Sequence, residues 1–123
     1  MRLLGALILA ASLPFLPASA RADCAIDAPL HFPEINDSVF WTAEVTQSSV
    51  CEHRFLEGRP YQLTSVTIRQ RPEIGSLVKS GDAVFRYAPK YLFKGTDVYA
   101  FKVCARRGVQ SGCSTVIITA HMK

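Results

Sequence analysis

The sequence lacks the patterns of several protein classes. No stretch has the apolar spacing of a long amphipathic helix, and no segment after residue 20 is long and apolar enough for a membrane-spanning helix. It contains no C-x-x-C pair, no D-x-D run and no G-x-S-x-G elbow, so the usual zinc, calcium and serine-hydrolase motifs are missing. We therefore expect no metal, no cofactor and no catalytic residue in this protein, which we predict not to be an enzyme.

The first twenty residues have the order of an export signal. Arg2 supplies a positive charge, an apolar run extends from Leu3 to Leu16, and the small residues Ala18-Ser19-Ala20 follow. This order predicts a signal peptide over residues 1–20, because the run is shorter than the roughly 20 residues that span a bilayer. Residues 21–123 have the size of one domain, which we expect to be secreted or periplasmic and not membrane-spanning.

Four cysteines follow the predicted cleavage site: Cys24, Cys51, Cys104 and Cys113. In an exported chain, four cysteines predict two disulfides. Zinc is the alternative, but the scattered His31, His53 and His121 lack metal-ligand spacing. We expect these histidines at the surface.

The remaining pattern is that of β-strands. Aromatic and polar residues alternate on both sides of a Pro/Gly/Asp connection between Ala88 and Asp97, as in half-buried antiparallel strands. Turn residues at short intervals predict seven strands: Ala25–His31, Ser38–Thr46, Tyr61–Gln70, Gly75–Lys79, Ala83–Ala88, Asp97–Arg106 and Cys113–His121. A polar loop with Cys51 and His53 is expected between the second and third strands.

The parity of these strands predicts the core, because alternate side chains of a strand share one face. The expected core residues are Trp41, Ala43, Val45, Phe85, Tyr87, Tyr99, Phe101, Val103, Val116, Ile118 and Ala120. Arg86 and Lys102 have the opposite parity, which suits a solvated face.

About the last 60 residues resemble a known family. Phe85-x-Tyr87-x-Pro89 is followed by Gly95-x-Asp97-x-Tyr99-x-Phe101-x-Val103, which is similar to the G-x-D-x-F-x-Y-x-V of bacterial cadherin-like or immunoglobulin-like repeat domains, with the two aromatic residues exchanged. The resemblance implies a seven-stranded immunoglobulin-like (cadherin-like) antiparallel sandwich over residues 21–123. It also implies a role as a spacer or adhesive module.

An immunoglobulin-like strand order would place all four cysteines at one end of the sandwich. Cys104 and Cys113 then share the outward side of a hairpin, which favours a Cys104–Cys113 bond and leaves Cys24 with Cys51. The alternative is Cys51–Cys104, the inter-sheet bond of antibody-type domains, which requires Cys104 to point inward.

Charge indicates a candidate binding surface. Residues 23–60 carry seven acids and two arginines, and residues 61–123 carry ten bases and three acids. Two loops are expected to meet at the end opposite the cysteines and to gather bases around aromatic rings: Arg69, Arg71, Lys90, Tyr91, Phe93 and Lys94. Such a surface suits an anionic glycan, lipopolysaccharide or an acidic envelope protein. One alternative is that strands from both halves interleave, so that the charges mix on the surface. Another is that Tyr91 or Phe93 packs into the core.

Two further hypotheses concern Asp97 and a loop. Asp97, after Gly95-Thr96, is expected to accept backbone hydrogen bonds at the start of its strand, with a calcium ligand as the alternative. The segment Arg106–Gly112, with Arg106 and Arg107 between two cysteines, suits a loop that inserts into an enzyme cleft. The chain is thus predicted to be a non-enzymatic binding or accessory module of the bacterial cell envelope, or alternatively a small secreted inhibitor or effector. The compartment and the mild charge exclude nucleic acid.

Overall fold

The computed structural model describes Gly5 and residues 24–28, 36–46, 48–55 and 61–123. The predicted signal peptide therefore lies outside the described residues, apart from Gly5. The described residues form eight strands: β1 Cys24–Asp27, β2 Asp37–Val45, β3 Cys51–Arg54, β4 Gln62–Gln70, β5 Ser76–Gly81, β6 Val84–Ala88, β7 Gly95–Arg107 and β8 Gln110–Met122. They form no helix, and so none that could cross a membrane.

The strands form two sheets. The larger sheet has the order β1-β2-β8-β7-β4, and the smaller has the order β3-β6-β5. Neighbouring strands are antiparallel except for β2 and β8, which run parallel. The prediction of an all-β fold with two disulfides is confirmed.

The structure has one strand more than the seven predicted. β3 lies where a polar loop was expected, and its residues alternate between buried and exposed from Cys51 to Arg54. It pairs with β6, so that Cys51 lies opposite Tyr87 and His53 opposite Phe85. Because β3 is only four residues long and contains no β-branched residue, its sequence gives little strand signal.

The core lies between the two sheets and is rich in aromatic rings. Tyr87 stacks on Tyr99 at a ring-centroid distance of 4.6 Å, and Phe85 contacts Phe101 at 4.8 Å. These four rings are almost completely buried, as parity predicted. Of the other expected core residues, Trp41 is only half-buried and the rest are buried.

The disulfides join the pairs that parity favoured, Cys24–Cys51 and Cys104–Cys113. The first connects the two sheets, and the second joins residues directly opposite each other in the β7–β8 ladder. Cys104 is half-buried on the outward parity of β7, so the alternative Cys51–Cys104 bond does not form.

The prediction that all four cysteines gather at one end is wrong. Cys24 pairs with Val45, Val45 pairs with Met122, and Met122 pairs with Gly95. We call this end of the sandwich the loop end. Cys113 precedes Ser114, which pairs with Asp37 at the start of β2, whereas Val45 is at the end of β2. The second disulfide therefore lies toward the opposite end of the sandwich, which we call the hairpin end. The cause is that β3 was not predicted. Each antiparallel strand reverses the direction of the chain, so one additional strand moves Cys51 to the other end of the sandwich.

Candidate binding surface at the loop end

A buried carboxylate organises the loop end. Asp97, on β7, is 4% exposed and accepts hydrogen bonds from the N–H groups of Glu73 (3.1 Å), Ile74 (3.3 Å) and Gly75 (2.8 Å). The Tyr87 hydroxyl also donates to it, at 2.7 Å. The prediction that Asp97 accepts backbone hydrogen bonds is therefore confirmed, although most donors come from the β4–β5 loop.

The surroundings of Asp97 keep it ionised. Burial raises the pKa of Asp97, but the donors from Gly75, Tyr87, Ile74 and Glu73 outweigh that effect and hold the pKa below its ordinary value. Burial and the neighbouring carboxylate raise the pKa of Tyr87. Because both oxygens of Asp97 already accept hydrogen bonds within the protein, the calcium hypothesis has no support at this residue.

The β6–β7 loop is fixed at three points. The Phe93 N–H donates to the Lys90 carbonyl at 3.0 Å, and the Leu92 N–H donates to Ser48 Oγ at 2.9 Å. The Phe93 ring packs against the core and against Gly95, where an added Cβ would lie 3.0 Å from the ring. Phe93 therefore anchors the loop, as the packing alternative predicted for one of the two rings.

The residues between these anchors face solvent. Tyr91 is 79% exposed and Leu92 is 72% exposed, with Lys90 and Lys94 exposed on either side. Val50, 45% exposed, lies two residues from Ser48, which bonds this loop. We call Val50, Lys90, Tyr91, Leu92 and Lys94 the loop-end surface. Tyr91 is thus not a core residue.

The structure removes Arg69 from the predicted basic cluster. Arg71 lies in the β4–β5 loop, where its guanidinium donates to the Leu77 carbonyl at 3.0 Å. Arg69 is on the outer face of the larger sheet and lines a cleft with Lys102, so it does not belong to the loop-end surface. Arg69 lies in a β-bulge between Ile68 and Gln70, which the alternation of the sequence did not predict. Leu92 was not predicted, although an apolar residue between two exposed lysines was a usable signal.

The predicted loop with Arg106 and Arg107 is a regular hairpin. β7 and β8 remain paired up to Arg107 and Gln110, and only Gly108 and Val109 form the turn. Gly108 has a φ of 61°, a conformation that glycine adopts readily. Arg106 donates to Gln62 Oε1 at 2.8 Å and Arg107 to Gln110 Oε1 at 3.4 Å, while Val109 is completely exposed at the tip.

His53 is buried, which corrects the expectation that all the histidines are at the surface. It is 2% exposed, and its Nε2 shares a hydrogen bond of 2.5 Å with the Tyr99 hydroxyl. Its Nδ1 has no partner among the described residues, and burial lowers the pKa of His53 to about 4. His121 is half-buried and His31 lies outside the described residues. Within the described part of the chain, no three potential metal ligands cluster.

No family model matches the chain, and no curated protein matches its sequence. Among solved structures, a sialyltransferase from Photobacterium damsela aligns with a TM-score of 0.41 and 12% identity. The match covers 69% of this chain and 18% of the sialyltransferase. So low a TM-score carries no argument about function.

Proposed function

We propose that this chain is an exported immunoglobulin-like sandwich that acts as a non-enzymatic binding module of the bacterial cell envelope. The strand order supports the fold, because β4-β7-β8 and β3-β6-β5 follow the C-F-G and B-E-D orders of immunoglobulin domains. β2 then extends the first sheet in parallel with β8, and β1 is an added edge strand.

Export is supported by the amino-terminal sequence and by the disulfides. The charged, apolar and small-residue segments of residues 1–20 have the order of a signal peptide. Both disulfides suit an oxidising compartment such as the periplasm or the cell exterior.

A binding role is supported by the position of the chemically unusual groups. His53, Tyr87, Asp97 and Tyr99 are all buried, where a substrate cannot reach them. All four cysteines are bonded. These groups therefore stabilise the fold, and the loop-end surface provides the contact.

The exposure of Tyr91 and Leu92 between two lysines is the observation that carries the proposal. Neighbouring apolar side chains that are exposed to water are typical of a surface that contacts a partner. Tyrosine, leucine and flanking lysines together suit the surface of an anionic lipid layer, because the Tyr91 ring and the Leu92 side chain enter the headgroup region while each lysine adds about 1 kcal/mol of attraction. A free glycan or an acidic protein would use the lysines but leave Leu92 unpartnered.

Vesicle flotation tests this proposal. The protein is expected to float with vesicles that contain phosphatidylglycerol and to remain free with vesicles of phosphatidylcholine alone. Lys90→Gln with Lys94→Gln should weaken binding roughly 30-fold, since two attractions of about 1 kcal/mol are lost. Tyr91→Ser with Leu92→Ser should weaken it at unchanged net charge.

The matched control is Val78→Ser with Lys79→Gln, an exposed apolar and basic pair on β5. It should bind like the parent protein. Equal binding by the control and the loop variants, or no binding to anionic vesicles, would refute the lipid assignment. Binding to an immobilised acidic glycan that depends on Lys90 and Lys94 but not on Leu92 would assign the surface to a glycan instead.

The hairpin supports a second candidate function, that of a secreted inhibitor or effector. The fully exposed Val109 lies between Arg107 and Gln110 on a two-residue turn that the Cys104–Cys113 bond braces. A rigid projecting tip of this kind can enter an enzyme cleft with little loss of conformational entropy. Inhibition of a panel of trypsin-like proteases that is lost in Arg107→Ala would favour this function.

A further inference from the structure

A second polar site lies on the outer face of the larger sheet, apart from the loop-end surface. A cleft of about 300 Å³ opens there toward the hairpin end. The residues that line it come from β2, β4, β7 and β8, and those with outward parity are Ser38, Arg69, Lys102 and Thr115. Ser114 and Met122 are eight residues apart on β8, which places the cleft roughly 26 Å from the loop end.

The strand register explains why these side chains meet. Ser38 of β2 pairs with Thr115 of β8, which pairs with Lys102 of β7. Neighbouring strands lie about 4.8 Å apart, so the three residues form a row about 10 Å long. On β4, Thr67 pairs with Lys102, and Arg69 lies two residues further along that strand, where it also lines the cleft.

The two cations have no partner among the residues that the structure describes. Neither Arg69 nor Lys102 forms a hydrogen bond or ion pair with a residue in the described ranges, and both are exposed. Two unpaired positive charges beside one cleft repel each other, and an anion that binds between them relieves this repulsion. Arginine presents a planar fork of donors that fits a carboxylate, and lysine adds a point charge.

The rest of the cleft suits a sugar better than a bare anion. Ser38 and Thr115 share the outer face with the two cations, whereas Asp37 has the inward parity of β2 and accepts a hydrogen bond from the buried Ser114. The hydroxyl groups of a sugar can exchange hydrogen bonds with Ser38 and Thr115. Phe40 is 67% exposed two residues along β2 from Ser38, on the same face, and offers an apolar ring beside the cleft.

We propose that this cleft binds an acidic saccharide, with Arg69 and Lys102 on its anionic group, Ser38 and Thr115 on its hydroxyls, and Phe40 against a ring face. The site is independent of the lipid assignment, because no residue of the loop-end surface lines the cleft.

Titration calorimetry with the full domain tests this proposal. The probes are an oligomer of four galacturonate residues, its methyl-esterified form, and a sulfated tetrasaccharide without carboxylates. The acidic oligomer is expected to bind, and the methyl ester, which keeps the sugar and loses the charge, should not. Binding of the sulfated probe at equal strength would assign the site to anionic sugars in general, which also supports the proposal.

Three variants and one control complete the test. Arg69→Gln and Lys102→Gln should each weaken binding about tenfold, the usual effect of losing a hydrogen bond to a charged group. Phe40→Ser should weaken it with no change in charge. Arg86→Gln, an exposed arginine on β6 of the other sheet, should leave it unchanged. Equal affinity for the methyl ester, unchanged binding by Arg69→Gln and Lys102→Gln, or no binding of any acidic probe at millimolar concentration would overturn the proposal.

Discussion

The carboxylate of Asp97 is the point where three elements meet. It lies on β7, its backbone donors come from the β4–β5 loop, and Tyr87 reaches it from β6. Gly75 can donate only because it has no side chain, since a Cβ there would lie 2.5 Å from the Ala88 carbonyl oxygen. One charged side chain of the larger sheet thus holds both the loop that joins the two sheets and a strand of the smaller sheet.

The variant Asp97→Asn should destabilise the protein by roughly 3 kcal/mol. The amide loses the charge and replaces one acceptor oxygen by an NH₂ group, so the part-buried N–H groups that donate to that oxygen lose their acceptor. Urea denaturation at neutral pH measures this change. Asp82→Asn, at an exposed turn position, should change stability little, and similar losses for both variants would contradict the assigned role of Asp97.

The aspartate could be predicted from sequence, but its partners could not. A glycine and an aspartate before an alternating aromatic run indicated a residue that accepts backbone hydrogen bonds. Glu73, Ile74 and Gly75 lie more than twenty positions away, and nothing local in their sequence shows that they turn toward Asp97. Long-range pairing of this kind depends on how the two sheets pack.

At the scale of the strands, the carboxyl-terminal half was predictable because its alternation is strong. Tyr99, Phe101, Val116 and Ile118 are buried where parity places them. In the amino-terminal half, β1, β2 and β4 lie where strands were predicted, but β3 was missed, since it has only four residues and no β-branched side chain. Its cysteine and histidine at alternate positions were the available signal, and missing it placed the loop-end disulfide at the wrong end.

The two disulfides should differ in their contribution to stability. The Cys24–Cys51 bond spans 27 positions and joins the sheets, whereas Cys104–Cys113 spans 9 positions within one ladder. Loop-closure entropy predicts losses of roughly 3.5 and 2.5 kcal/mol for the respective double serine variants. Urea denaturation of both variants measures the difference, and a larger loss for Cys104→Ser with Cys113→Ser would contradict it.

At the scale of the whole molecule, the two proposed surfaces use different parts of the sandwich. The loop-end surface is built from connections between strands, and the cleft is built from the regular face of the larger sheet. The full set of residues in the loop-end surface could not be predicted, because the sequence does not show which side chains of a loop are exposed. The cleft could not be predicted without the parallel β2–β8 register, which brings Ser38 beside Thr115.

The pH dependence of folding should reveal the buried polar groups. Burial lowers the pKa of His53 from 6.5 to about 4, so the unfolded chain binds a proton at a pH where the folded chain does not. Stability is therefore fully present above about pH 6.5 and falls as the pH drops toward 4, by about 3 kcal/mol in total. The pKa of Asp97 is also lowered, so its contribution is lost only on further acidification, below about pH 4.

Urea denaturation between about pH 7.5 and 4.5 measures the first of these two losses. His53→Gln keeps a group that can bond Tyr99 but does not titrate, so its stability should vary less over this interval, even if its absolute stability is lower. His121→Gln, which changes a half-buried histidine on β8, should retain the parent slope. A parent protein with constant stability from pH 7 to 4.5 would show that His53 is protonated equally in the folded and unfolded states. That result would contradict the conclusion that His53 is a neutral, buried imidazole in the folded protein.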